Sequence, residues 1–130
     1  MQTLMNPVII GNLLLTLLGL LFVFHLLIIA GIVPYGIVWA GKIQNRQQML
    51  RMETVSLIVL TLAVFLVLMR VGYLQWVENP LVLQGGMWLL FAFFTLNTLG
   101  NMTAKNPFEK YGFGSLTILL AACCLVLALY

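Results

Sequence analysis

The sequence predicts an all-α membrane protein: a four-transmembrane-helix up-down bundle with a proline-broken interfacial segment after the first helix. Three features carry that expectation. Hydrophobic residues make up 63% of the 130 residues and charged ones 7%. An ordinary soluble domain carries about a quarter charged residues, so lipid must be the solvent for most of this chain. Four apolar runs each approach the roughly 20 residues that cross about 30 Å of hydrocarbon. The polar stretches between them are short, which forces neighbouring helices antiparallel.

The first run, about residues 7–33, opens with Asn6 as N-cap and Pro7 in the first turn. Its lead, MQTLMNP, has no basic region and no small-residue cleavage pattern follows, so the run reads as a retained span rather than a signal peptide. Pro34 removes a backbone donor and pushes Val33 out of helical geometry, which predicts an end or kink near Val33. The second span covers about 52–74, between Arg51 and the loop QWVENP. The third covers about 83–102 and the fourth about 113–130, set off by Asn79-Pro80 and Asn106-Pro107. Helices are required because an isolated strand in lipid leaves its backbone unpaired. The whole chain reads as one membrane domain, residues 1–130.

Charge gives the threading. Lys42, Arg46 and Arg51 lie in the first connection, Lys105 and Lys110 in the third, and Arg70 alone borders the second. The bias places the first and third connections in the cytoplasm and both termini on the opposite side. No basic stripe with stacking aromatics accompanies the net charge of +3, so no nucleic-acid partner is expected. Arg70 can snorkel outward. Cys123 and Cys124 are adjacent, a spacing that suits neither a redox pair nor a zinc site, and they read as packing residues.

The stretch GIVPYGIVWAGK, residues 31–42, admits two readings. Tyr35 and Trp39 are interfacial anchors on a short amphipathic helix, or the segment folds back over the cytoplasmic mouth of the bundle. Non-helical backbone at depth survives only against protein or a wet cavity, so the second reading implies a site.

Polar groups in the spans point the same way. His25 and Asn97 fall at similar depth, with Thr61 and Thr117 near that level. Asn101, Glu53, Lys105 and Glu109 lie closer to the cytoplasm. Asn97, Asn101 and Lys105 recur every four residues, so one helix face can present all three. Glu53 falls in the first turn of the expected second span, where the helix dipole favours a carboxylate and Lys105 could come within reach. The structural alternatives stay open: the asparagines as interhelical hydrogen bonds worth about 0.6–2 kcal/mol each, His25 as a satisfied neutral imidazole, and Glu53 as an interface charge. The ligand-binding candidates are His25, Tyr35, Trp39, Glu53, Asn97, Asn101 and Lys105. No catalytic residue, metal ligand or cofactor is nominated, since one histidine makes neither a metal site nor a haem site.

The segments FHLLIIAGIVPYGIVWAGKIQNRQQM, METVSLIV and LNTLGNMTAKNPFEKYGF resemble a family of small four-helix bacterial inner-membrane proteins of uncharacterised function. Two positions depart from that pattern: Trp39-Ala40-Gly41 stands where it reads WGG, and Ala104-Lys105 where it reads SK. The resemblance implies a bacterial inner membrane and supplies no activity, substrate or cofactor. The expected function is a non-enzymatic module that binds a membrane lipid or small amphiphile, or acts as an accessory to a partner protein or a second copy, through a polar cytoplasmic cavity. A transporter subunit acting as an oligomer, and a membrane enzyme on a lipid or quinone with His25 and Glu53 as acid and base, are the alternatives.

Overall fold

Three asparagines start three of the helices in the computed structural model, which describes residues 6–130; the lead residues 1–5, part of the signal-peptide question, lie outside it. The Asn6 side chain accepts from the Val8 N–H at the head of α1 (Pro7–Ile29). Asn45 accepts from the Gln48 N–H at the head of α2 (Arg46–Arg70), and Asn79 from the Leu81 N–H at the head of α3 (Pro80–Met102). Each cap satisfies an amide that the helix leaves unpaired. The fourth helix, α4 (Gly114–Leu129), begins differently: it grows out of a wide π-type turn over Phe108–Phe113. All four helices are long and apolar enough to cross a membrane.

Two glycines stop the first hairpin's helices. After Ile29 the chain turns left-handed at Gly31 (φ 80°), with Gly31 N–H on Ile28 O and Ile32 N–H on Leu27 O. Gly72 (φ 92°) repeats the pattern after Arg70, with Tyr73 N–H on Leu68 O. This pairing caps the last carbonyls of a helix and requires a residue that tolerates positive φ. The expected boundaries shift accordingly. The first helix ends at Ile29, stopped by Gly31 before Pro34 can act. The second runs Arg46–Arg70 rather than 52–74, because Asn45 caps it early and Gly72 ends it. The third starts at Pro80, and helical winding leading into the fourth starts at Phe108.

The four helices form a bundle around Leu14, Leu18, Leu60, Val67, Met87, Phe94 and Leu120, with Cys123 and Cys124 buried among them as packing residues. Lipid is as apolar as these side chains, so close packing rather than expulsion from water holds them together. α3 packs along α4 and α1 along α2, while α2 and α3 meet far less. Their contact is uneven along its length. A Cβ on Gly86 would stand 2.7 Å from Leu66, so the two helices touch at the α2–α3 loop end. Toward the other end the two helices border a cavity, lined by Ser56, Val59 and Leu60 of α2 and by Phe93, Leu96, Asn97 and Gly100 of α3.

The two ends of the bundle differ in charge. Lys42, Arg46, Arg51, Lys105 and Lys110 are all exposed at one end, hereafter the basic end. At the opposite end the half-buried Arg70 donates from Nε to Leu127 O at 2.9 Å, and Gln84 donates to Ala128 O at 2.8 Å. Carbonyls in the last turn of a helix lack intrahelical partners, and these two side chains reach them. Tyr73 donates to Asn12 at 2.8 Å and ties the α2–α3 loop to α1.

Candidate functional site

Two of the chain's three acidic residues are buried at the basic end. Glu53 has no exposed surface and Glu109 is 3% exposed. Burial of a carboxyl is costly unless its oxygens are paired, so their partners define the site. Glu53 lies on α2, seven residues after Arg46, roughly 10 Å along the helix at 1.5 Å per residue. It is therefore two turns inside the helix, not in the first turn. Its Oε2 pairs with His25 Nδ1 on α1, and its Oε1 accepts from Trp39 Nε1 at 3.1 Å. Lys105, proposed above as a partner, is exposed beyond the end of α3 and makes no ion pair among the described residues.

Glu109 sits in the π-type turn. That wider winding displaces side chains relative to an α-helical turn and recurs at functional positions. Here Glu109 faces inward while Lys110 and Tyr111 on either side of the next step are exposed. Its Oε1 accepts from the Ala40 N–H at 2.6 Å. Its Oε2 is buried and has no hydrogen-bond partner among the described residues.

These two carboxyls hold adjacent residues of the segment after α1. That segment folds back over the mouth of the bundle and is not one amphipathic helix. Short 3-10 turns at Tyr35–Ile37 and Trp39–Gly41 are separated by an extended Val38. Ile28, Val38, Ile43 and Met49 bury together, with Tyr35 packed against them, and anchor the fold-back. Trp39, Ala40 and Gly41 then run left-handed at φ 55°, 54° and 71°. Left-handed backbone costs an L-residue about 1–2 kcal/mol. Hydrogen bonds to charged groups are worth about 1.5–3 kcal/mol each, so the bonds from Glu53 and Glu109 are large enough to offset the strain at Trp39 and Ala40.

Beneath the fold-back lies a cavity of about 470 Å³. His25, Trp39, Asn97 and Asn101 line it, together with Glu109 and Lys42. Apolar side chains from all four helices, including Leu21, Leu60, Phe94 and Leu116, complete the wall. Ser56 and Val59 of α2 and Phe93 and Leu96 of α3 belong to its wall, and Phe93 and Leu96 are exposed, so the cavity reaches toward the lipid-facing side between those helices. With Nδ1 of His25 engaged by Glu53, Nε2 is the nitrogen left for an occupant.

The candidate residues therefore separate. His25, Trp39, Asn97 and Asn101 are brought together at the cavity, and Glu53 stands behind His25 and Trp39. Tyr35 anchors the fold-back from the packing cluster, and Lys105 lies outside the cavity wall. Nor is Asn97 the bolt between helices: its amide donates to Phe93 O of its own helix at 2.9 Å. The α3–α4 bolt is Thr98 to Thr117 at 2.8 Å, with Asn101 on Thr117 at 3.5 Å. Thr61 is exposed and bonded to Leu57 O. Glu109, Lys42 and the Thr98–Thr117 pair were not among the nominated residues. The scarcity of acids was the available signal for Glu109, since a chain with three carboxyls places few of them casually.

No protein-family model, curated protein or solved structure matches this chain.

Proposed function

We propose that this protein is a non-enzymatic bacterial inner-membrane protein that binds an amphiphile in the cavity at its basic end. The carrying observation is a cavity that combines polar residues under the fold-back with an apolar wall reaching the exposed Phe93 and Leu96 between α2 and α3. An amphiphile has the same division, and ligand sites commonly combine a largely apolar lining with a few convergent polar groups. The basic end faces the cytoplasm, since it holds five exposed Lys/Arg against the single internally bonded Arg70. Both termini then lie on the other side. Native mass spectrometry from mild detergent tests the binding. A single retained or titratable amphiphile per chain is expected; a chain that binds none at saturating amphiphile contradicts the reading.

One observation favours a second reading. An imidazole oriented by a buried carboxyl, with its other nitrogen available to a cavity, is the arrangement of a general base. On that reading Nε2 of His25 would act on the bound molecule, and chemical conversion of an amphiphile by the wild type, abolished by His25→Gln, would replace the binding role with catalysis.

A further inference from the structure

Glu109 carries more than its bond to the fold-back. One of its oxygens is occupied by Ala40, and the other is buried without a partner among the described residues. A buried acceptor left unpaired is costly. Glu109 lines the cavity, as do Asn97 and Asn101. Each of those amides has one N–H engaged, on Phe93 O and on Thr117, and no donor reaches Glu109 Oε2 among the described residues. A primary ammonium brings three N–H donors on one compact cation. Aromatic faces suit a cation as well, and Phe94, Phe113 and Trp39 line the same space. A quaternary ammonium would satisfy the rings but offers no N–H to Glu109. A metal ion is the weaker fit, because no group of three His, Cys, Asp or Glu side chains is placed to hold one among the described residues.

Lys42 completes the pattern. Among the residues lining the cavity it is the one Lys or Arg, as Glu109 is the one Asp or Glu, and it is exposed. A buried carboxyl and an exposed ammonium on one wall complement a zwitterion that enters positive end first. Resting on the amphiphile-binding reading above, we infer that the occupant is a lipid with a phosphoethanolamine headgroup. Its ammonium lies on Glu109, its phosphate faces Lys42, and its acyl chains leave between α2 and α3.

The full-length protein in mild detergent is titrated, under native mass spectrometry, with dioleoyl phosphatidylethanolamine, phosphatidylcholine, phosphatidylglycerol and dodecylamine. Wild type should retain the ethanolamine lipid at least about tenfold better than the choline lipid, the discrimination expected of one hydrogen bond to a charged group. Glu109→Gln keeps an oxygen for Ala40 and should erase that preference. Lys42→Gln should weaken the ethanolamine lipid and leave dodecylamine unchanged. Equal retention of choline and ethanolamine lipids overturns the inference, as does a preference that survives Glu109→Gln. Dodecylamine retained without the ethanolamine lipid overturns it too, in favour of a free amine. Phosphatidylglycerol bound as well as the ethanolamine lipid sinks this headgroup assignment and leaves amphiphile binding standing, whereas no binding of any of the four removes both. Should Glu109→Gln fail to fold, the wild-type selectivity and Lys42→Gln still decide.

Discussion

The fully buried Glu53 engages two groups from two different elements, His25 of α1 and Trp39 of the fold-back. Glu53→Ala removes both contacts and should cost about 1–3 kcal/mol, the range for losing a buried hydrogen-bond partner. Thermal unfolding in detergent would read it as a lowered midpoint; an unchanged midpoint would mean the pair contributes nothing. His25→Leu is not a silent change on this geometry, since it leaves Glu53 Oε2 buried beside a methyl group. Ala40 makes the opposite case. It holds φ 54° with a Cβ that disfavours it, so Ala40→Gly should raise stability by about 1 kcal/mol. A lower midpoint for Ala40→Gly would contradict the strain argument. Residue types and spacing alone put His25 and Asn97 at one depth, with Asn101 nearer the cytoplasm. They could not reveal that Glu53 belongs to His25 rather than to Lys105, because that depends on rotation of α2 about its axis, and an almost uniformly apolar helix carries little amphipathic signal to fix it.

Each helix was legible as an apolar run, and the start at Asn6-Pro7 was legible as a cap; Asn79-Pro80 was read as a break with the helix placed three residues late, and the cap at Asn45 was missed inside a polar stretch. The stops were less so. Pro34 drew attention from Gly31, although glycine ends the helix by supplying positive φ three residues earlier. The fold-back was readable only as one of two options, since its geometry depends on carboxyls distant in sequence. The π-type turn had no local signature at all. Between α2 and α3 the decisive residues are glycines: Gly86 brings the helices together at Leu66, and Gly100 leaves space. Gly100→Leu should fold at least as well, since leucine is the better helix former by roughly 1 kcal/mol and meets no close neighbour, while its side chain enters the cavity wall. Amphiphile retention should fall by about tenfold or more if its tail occupies this gap, the loss expected once a clash costs about 1.4 kcal/mol. Retention equal to wild type, with normal folding, would place the occupant elsewhere.

For the whole molecule, the asymmetry of the ends ties topology to function: exposed bases and buried acids share one end, and carbonyl-bonded Arg70 and Gln84 hold the other closed. Single cysteines at Gln47 and Glu78, both exposed, test the threading in intact cells against the buried Cys123 and Cys124. An impermeant reagent should label the cysteine at 78 and spare that at 47; the reverse pattern inverts the orientation. The central claim is that an amphiphile sits inside the bundle under the fold-back, not merely around it. Photo-crosslinking answers it most directly, using a phospholipid with a diazirine near its headgroup and mapping the adducts by peptide mass spectrometry. Adducts should concentrate on cavity-wall residues, above all between Phe93 and Asn101 and at Phe113 to Thr117, and should be depleted by excess unlabelled lipid. Adducts spread over outward-facing residues such as Leu62, Leu89 and Ile118, undiminished by competitor, would show that lipid only surrounds this protein and that the cavity is not its site.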